Sequence, residues 1–192
     1  MRLFLSINID DNIKSEITKA KNVIEENILK LGINSKGKLK WEDESKYHIT
    51  LFFIGEMSEV NLPEFIKGLE LIRPFTAPST LNFRTTGFSA FPNFRYPRVL
   101  ILGSEDESGR INILSDLINE FMKTYGYITD KPFRPHITLA RVRREVKLNM
   151  THLNIKEINI PEITFQTDKF TLMESRLGSS GAVHLRVRDF FI

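Results

Sequence analysis

Along the 192-residue chain the spacing of apolar positions switches repeatedly between a period of two and a step of three or four. Leu3, Leu5, Ile7 and Ile9 alternate with Arg2, Phe4, Ser6 and Asn8, which predicts a strand over residues 2–9. Asp10 or Asp11 then caps a helix with the stripe Ile13, Ile17, Ala20, Ile24, Ile28 and Leu31, ended by Gly32. Asn34 to Lys40 reads as a polar loop, Leu39 and Trp41 suggest a short strand, and His48 to Ile54 a longer one closed by Gly55. A second helix starts at Ser58, with Pro63 in its first turn and Leu62, Phe65, Ile66, Leu69 and Ile72 as its buried stripe. Pro74 and Pro78 bracket a connection, and Leu81, Phe83 and Thr85 mark a strand. Gly87 to Pro97, with Phe88, Phe91, Phe94 and Tyr96, reads as an aromatic loop.

The second half repeats this order. Arg98 to Gly103 predicts a strand. Residues 108–125 predict a helix carrying Ile111, Leu114, Leu117, Ile118, Phe121 and Tyr125, ended by Gly126. His136 to Val142 is another strand. Residues 143–159 have weak periodicity, and Ile163 to Met173 and Val183 to Phe191 form two closing strands joined by a turn at Gly178 to Gly181. Such an order predicts one two-lobed domain over residues 1–192, built by internal duplication of roughly 1–96 and 97–192.

Composition narrows the class. Hydrophobic residues make up 41% and charged residues 27%, enough for a core in a soluble globular chain. The net charge of +3 permits a polyanionic partner but falls short of binding duplex by charge alone. The absence of cysteine excludes disulfides, thiolate chemistry and cysteine-type zinc sites. No apolar run approaches the roughly 20 residues of a membrane span. Met1-Arg2-Leu3-Phe4 leads straight into a strand pattern unlike a signal peptide, so a cytoplasmic protein is expected.

The chemistry lies in a phrase said twice, His48-Ile49-Thr50-Leu51 and His136-Ile137-Thr138-Leu139. Each copy opens a strand, so the histidine and threonine share one face and the aliphatic pair anchors the other. Facing each other, two such strands offer two imidazoles and two hydroxyls. With an ordinary pKa near 6.5, one imidazole can be neutral and accept a proton while the other is protonated and gives one. The hydroxyls of Thr50 and Thr138 suit non-bridging phosphate oxygens. One His-x-Thr is commonly an ordinary strand; two identical copies in corresponding halves point to phosphoryl chemistry. By strict alternation Phe52 and Ala140 share the histidine face, so Phe52 stacks on a base or lines the cleft, and its exchange for Ala140 makes the two sides unequal. Arg141, a good phosphate partner, reaches that face only if its strand bulges, and the matching place in the first strand holds Phe53. His184 faces either the cleft or water, and His152 is expected in solvent. The cluster Arg143, Arg144 and Lys147 is a solvated face or an RNA-backbone contact.

These residues resemble the two-histidine phosphoesterase superfamily, and more narrowly the RNA 2′,3′-cyclic phosphodiesterases, also called 2′-5′ RNA ligase-like proteins. The likeness rests on Arg2-Leu3-Phe4-Leu5-Ser6-Ile7, on Trp41, on His48 through Gly55, on Phe133 through Val142, and on the ending from Leu172 through Ser175 to Gly181 and the last strand. It covers nearly the whole chain. The family pattern has a tyrosine where this chain carries His184.

The resemblance implies an α+β fold of two pseudo-symmetric lobes, each an antiparallel sheet facing a shared cleft with helices outside. It implies hydrolysis of a terminal 2′,3′-cyclic phosphate to a 2′-phosphate without metal or other cofactor. His48 is then the proton donor to the leaving 3′ oxygen and His136 the proton acceptor that activates water, with Thr50, Thr138 and Arg141 holding the phosphate. The partners expected are RNA ends or small nucleotides with a 2′,3′-cyclic phosphate, no membrane, and a monomeric enzyme. Alternatives are 2′-5′ RNA end joining in the same site, a phosphodiesterase for small cyclic or 2′-5′-linked nucleotides, and a non-catalytic module that binds RNA ends. A metallohydrolase is disfavoured, because no His-Glu-x-x-His-like set accompanies either motif.

Overall fold

In a computed structural model of the chain, the described residues are all except 31, 33–36, 73–78, 130, 131, 179 and 180. In chain order they form β1 (Arg2–Asn8), α1 (Asp11–Lys30), β2 (Leu39–Trp41), β3 (His48–Glu56), α2 (Leu62–Glu70), β4 (Leu81–Phe91), β5 (Val99–Asp106), α3 (Arg110–Thr124), β6 (His136–Val142), β7 (Thr164–Thr167), β8 (Lys169–Gly178) and β9 (Gly181–Phe191). A short 3₁₀ turn at Glu44–Lys46 precedes β3.

All pairings are antiparallel, and the strands follow the path β7-β4-β5-β6-β3-β1-β8-β9, with β2 added beside β6. The path divides into two quartets, β3-β1-β8-β9 and β6-β5-β4-β7. In each, one strand (β1 or β5) leads into a helix (α1 or α3) and then into the motif strand (β3 or β6). Two pseudo-symmetric lobes of an α+β fold result, as expected. After β3 the chain crosses to place β4 in the second lobe, and after β7 it crosses back to place β8 in the first. The motif strands meet at one registered pair, Ile49 with Ile137, both fully buried.

The apolar faces of these strands and helices make one core. Ile17, Ala20, Ile24 and Ile28 of α1 and Ile111, Leu114, Ile118 and Met122 of α3 pack with Leu5, Ile7, Leu100, Leu102 and Ile137. With its back against the helices, the sheet leaves its polar face to the cleft. Helix α2 approaches α3 closely at Gly68, where a methyl would lie 2.5 Å from Phe121 Cε2.

Several predicted boundaries move. Helix α2 starts at Leu62, because Ser58 begins a turn whose carbonyl accepts the Asn61 amide, and Pro63 still sits in the first turn. Helix α3 starts at Arg110, two residues later than expected. Strand β3 runs through Gly55, which has φ +82, to Glu56. Lys40, expected in a loop, belongs to β2.

The expected aromatic loop is strand β4 as far as Phe91. Thr85 pairs with Ser104 and Gly87 with Gly103, so Thr86 is an extra residue that switches the buried phase from Leu81, Phe83 and Thr85 to Phe88 and Ala90. That bulge broke the alternation on which the strand reading depended. The single strand expected over 163–173 is two, β7 and β8, lying in opposite lobes. Residues 143–159 are irregular but anchored by buried Leu148, Met150, Leu153 and Ile158. The expectations for Leu31, Asn34 to Lys36, Pro74 and Pro78 fall outside the described residues.

Candidate active site

The Ile49–Ile137 pair lies on a local twofold between the two phrases. Continuing its antiparallel register sets His48 across from Thr138 and Thr50 across from His136. All four side chains sit on the face away from the core, half-buried, while Ile49, Leu51, Ile137 and Leu139 are buried behind them.

Both strands bulge at the third residue after the histidine. In β3, Thr50 pairs with Ser6 and Phe52 with Leu5, which leaves Leu51 as the extra residue. In β6, Thr138 pairs with Ile101 and Ala140 with Leu100, which leaves Leu139. The pleat therefore changes phase inside each motif strand. Phe52 (7% exposed) and Ala140 (0%) turn into the core, so the expectation that they face the cleft is corrected. Arg141 turns onto the histidine face instead, and so does Phe53, which is 69% exposed. The inequality between the two sides of the cleft is thus Arg141 against Phe53. Arg141 Nε donates to Glu42 Oε1 at 3.0 Å, a contact the sequence did not foreshadow.

Each histidine is held by the carbonyl two residues upstream. His48 Nδ1 lies 2.7 Å from the Lys46 carbonyl oxygen, and His136 Nδ1 lies 2.6 Å from that of Arg134. A carbonyl only accepts, so Nδ1 carries the proton in both rings and Nε2 is the working nitrogen. His48 Nε2 lies 3.0 Å from Thr50 Oγ1, which donates to it in the neutral ring.

Burial pushes the His48 pKa down to about 4; the Lys46 carbonyl opposes this, and the charges of His184, Arg141 and His136 add to it. His136 is also lowered, mainly by burial, against its Arg134 carbonyl and with the help of Arg141.

A third imidazole joins them. The His184 ring centroid stands 5.6 Å from that of His48, edge-on, and 5.0 Å from that of Phe4. Of the two sequence readings of His184, the cleft is therefore the observed one. Its Nδ1 is buried and makes no hydrogen bond. Burial lowers its pKa as well. Phe4 floors this side, 5.1 Å from His48, and on the other side Phe91 meets His136 edge-on at 5.0 Å. The sequence carried one signal for Phe4, its place among the polar positions Ser6 and Asn8 of β1. A cavity of about 560 Å³ opens beside His48, with Asn8, Tyr47, Met173, His184 and Arg186 among its walls.

Away from the cleft, His152, Arg143, Arg144 and Lys147 are all exposed. Among the described residues no group of three or more His, Asp or Glu side chains converges as metal ligands, and no helix is long and apolar enough to cross a membrane.

Two segments of the chain, residues 7–101 and 102–184, match the family model described as LigT like phosphoesterase. A Thermotoga maritima protein named RNA 2′,3′-cyclic phosphodiesterase is 29% identical over 96% of this chain and 91% of its own length. An Archaeoglobus fulgidus protein of the same name is 32% identical over 76% and 74%. The fold matches that of E. coli LigT crystallised with 3′-AMP, with a TM-score of 0.73 at 19% identity over 100% of this chain and 97% of that one.

Proposed function

The chain belongs to the LigT like phosphoesterase family, and on that premise we propose that it hydrolyses the 2′,3′-cyclic phosphate at RNA ends to a 2′-phosphate. The observation that carries this reading is the pair of carbonyl-anchored imidazoles, each with Nε2 as its working nitrogen, on the two strands that meet at Ile49 and Ile137.

In this reading the cyclic phosphate lies between the two imidazoles. His136, neutral, takes a proton from water through Nε2 as the water attacks phosphorus in line. His48, protonated, gives its Nε2 proton to the ribose 3′ oxygen as the P–O bond breaks. Thr50 and Thr138 donate to the non-bridging oxygens, and Arg141 adds a charge-assisted contact. Because burial favours the neutral form of His48 in the free protein, the phosphate anion itself must favour the imidazolium. Substrate binding is then coupled to proton uptake. A perfect twofold would present the ribose in two equivalent ways. Arg141 against Phe53, and His184 against Phe91, remove that equivalence and support a single product.

Turnover of adenosine 2′,3′-cyclic phosphate in the presence of EDTA, followed by phosphorus NMR, tests the proposal. A 2′-phosphate alone is expected, and a 3′-phosphate, an even mixture or dependence on added metal overturns it. His48→Ala and His136→Ala should each lower the rate roughly 10²–10⁴-fold.

A further inference from the structure

Two lysines outside the catalytic face converge on one spot. Lys40 lies on β2, registered opposite Arg141 of β6. Lys46 ends the 3₁₀ turn whose carbonyl holds His48. Both side chains reach the Gly181 corner of the β8–β9 hairpin: a methyl on Gly181 would lie 3.2 Å from Lys40 Nζ and 3.8 Å from Lys46 Nζ. With φ +128 this position suits glycine, and its missing side chain leaves the space that both ammonium groups enter.

Neither lysine has an ion-pair partner among the described residues, although both belong to a carboxylate-rich stretch. The neighbouring acids are hydrogen-bonded elsewhere, and only Asp43 also feels the charge of Lys46, at longer range than an ion pair. Glu42 takes the Arg141 guanidinium at 3.0 Å. Asp43 Oδ1 accepts from the Ser45 amide and hydroxyl at 3.0 and 2.5 Å, and Glu44 accepts from the Thr18 hydroxyl at 2.9 Å. Two unpaired ammonium groups at close range repel, and flexible stems let them swing apart into water. Their convergence beside Arg141 therefore makes a site in want of an anion. It adjoins the cleft on the His48 side, since the Lys46 carbonyl holds His48 Nδ1 at 2.7 Å and Gly181 opens β9, the strand that carries His184 edge-on to His48.

We propose that Lys40, Lys46 and the bare corner at Gly181 form a second anion site, which takes the phosphate on the 5′ oxygen of the terminal nucleoside while its cyclic phosphate occupies the histidine cleft. This rests on the cyclic-phosphate reading above. In an RNA strand that phosphate is the preceding phosphodiester; in a lone nucleotide it is a 5′-monophosphate. A nucleoside 2′,3′-cyclic phosphate with a free 5′-hydroxyl has neither, so the site favours strand ends over such mononucleotides.

The test compares kcat/KM for three substrates at one ionic strength: adenosine 2′,3′-cyclic phosphate, its 5′-phosphorylated form, and the dinucleotide ending in the cyclic phosphate. Wild type should favour the two substrates with a second phosphate. Lys40→Ala should reduce that preference about fivefold, the upper range for an exposed charge pair, and leave the plain cyclic nucleotide unaffected. Lys40→Glu should reduce it further, and added salt should erode it. A gain for the dinucleotide but not for the 5′-monophosphate identifies the diester as the ligand. An equal fall on all three substrates, or no change on any, overturns the site. A binding arm separates this from the parent reading. Adenosine 2′,5′-bisphosphate should bind more tightly than adenosine 2′-monophosphate by calorimetry, and Lys40→Ala should remove the difference. Lys40-dependent binding without turnover sinks the hydrolase reading and keeps the anion site; turnover without any Lys40-dependent gain does the reverse.

Discussion

A carbonyl two residues upstream sets the tautomer of His48 and of His136, and nothing in the sequence pattern announced it. The paired His-x-Thr phrases were legible because chemistry and anchor alternate inside four residues. Arg141 was a candidate phosphate partner by residue type, but its direction was not legible, because nothing in the alternation announces an extra residue at Leu139. Its charge lowers the pKa of both His48 and His136. Removing a cation favours the protonated ring, so Arg141→Ala should raise both imidazole pKa values in an NMR titration. It should also lower kcat/KM roughly 10- to 100-fold, the worth of a hydrogen bond to a charged group. Unmoved imidazoles together with unchanged turnover would place Arg141 outside the site. The pH dependence of wild type carries a related sign. In the free protein both imidazoles sit below their ordinary value, whereas in the proposed complex the phosphate anion raises that of His48. The kcat profile, which reports the complex, should therefore lie at higher pH than the kcat/KM profile, which reports the free enzyme. Coincident profiles would contradict the coupling of substrate binding to proton uptake.

Among the elements, bulges account for most of what the pattern hid. One at Thr86 concealed the second half of β4, and those at Leu51 and Leu139 exchanged which of two neighbouring residues faces the cleft. A bulge adds one residue without a compositional mark, so period-two reading fails from that point onward. Elements without such a shift, such as α1, kept their predicted course. The phase change makes a test within one strand. Phe52→Ala empties a core position and should cost about 3–5 kcal/mol of unfolding free energy. Phe53→Ala, at an exposed position, should stay within about 0.5 kcal/mol. Denaturant unfolding of the two variants would expose a misplaced bulge by reversing that order. Ala140→Leu should likewise destabilise, by about 1–3 kcal/mol, through overpacking of a fully buried site.

At the scale of the whole molecule, the two lobes bring three imidazoles to one cleft whose common wall disfavours their charge. His48, His136 and His184 all have a pKa below the ordinary value, with burial as the leading cause, and that of His48 lies near 4. The paired motifs foretold two of them; the third arrives only because β8 and β9 of the second half join the first half's strands, a crossing that no local pattern encodes. Unfolded, all three bind protons near pH 6.5. Between that value and about 4 the unfolded chain therefore holds more protons than the native one, so stability falls as pH falls through this window. Above about pH 6.5 the three are neutral in both states and contribute no slope. The expected outcome is an unfolding midpoint that drops on acidification from pH 6.5 toward 4. Its slope should be shallower in His48→Gln, because a neutral amide has no proton to refuse. A phosphate anion in the cleft favours the imidazolium and should flatten the slope in wild type. Thermal melts across that range, with and without 2′-AMP, measure all three. A midpoint rising toward pH 4 in wild type, or a slope indifferent both to the nucleotide and to the loss of His48, would mean that the cleft does not hold its imidazoles neutral.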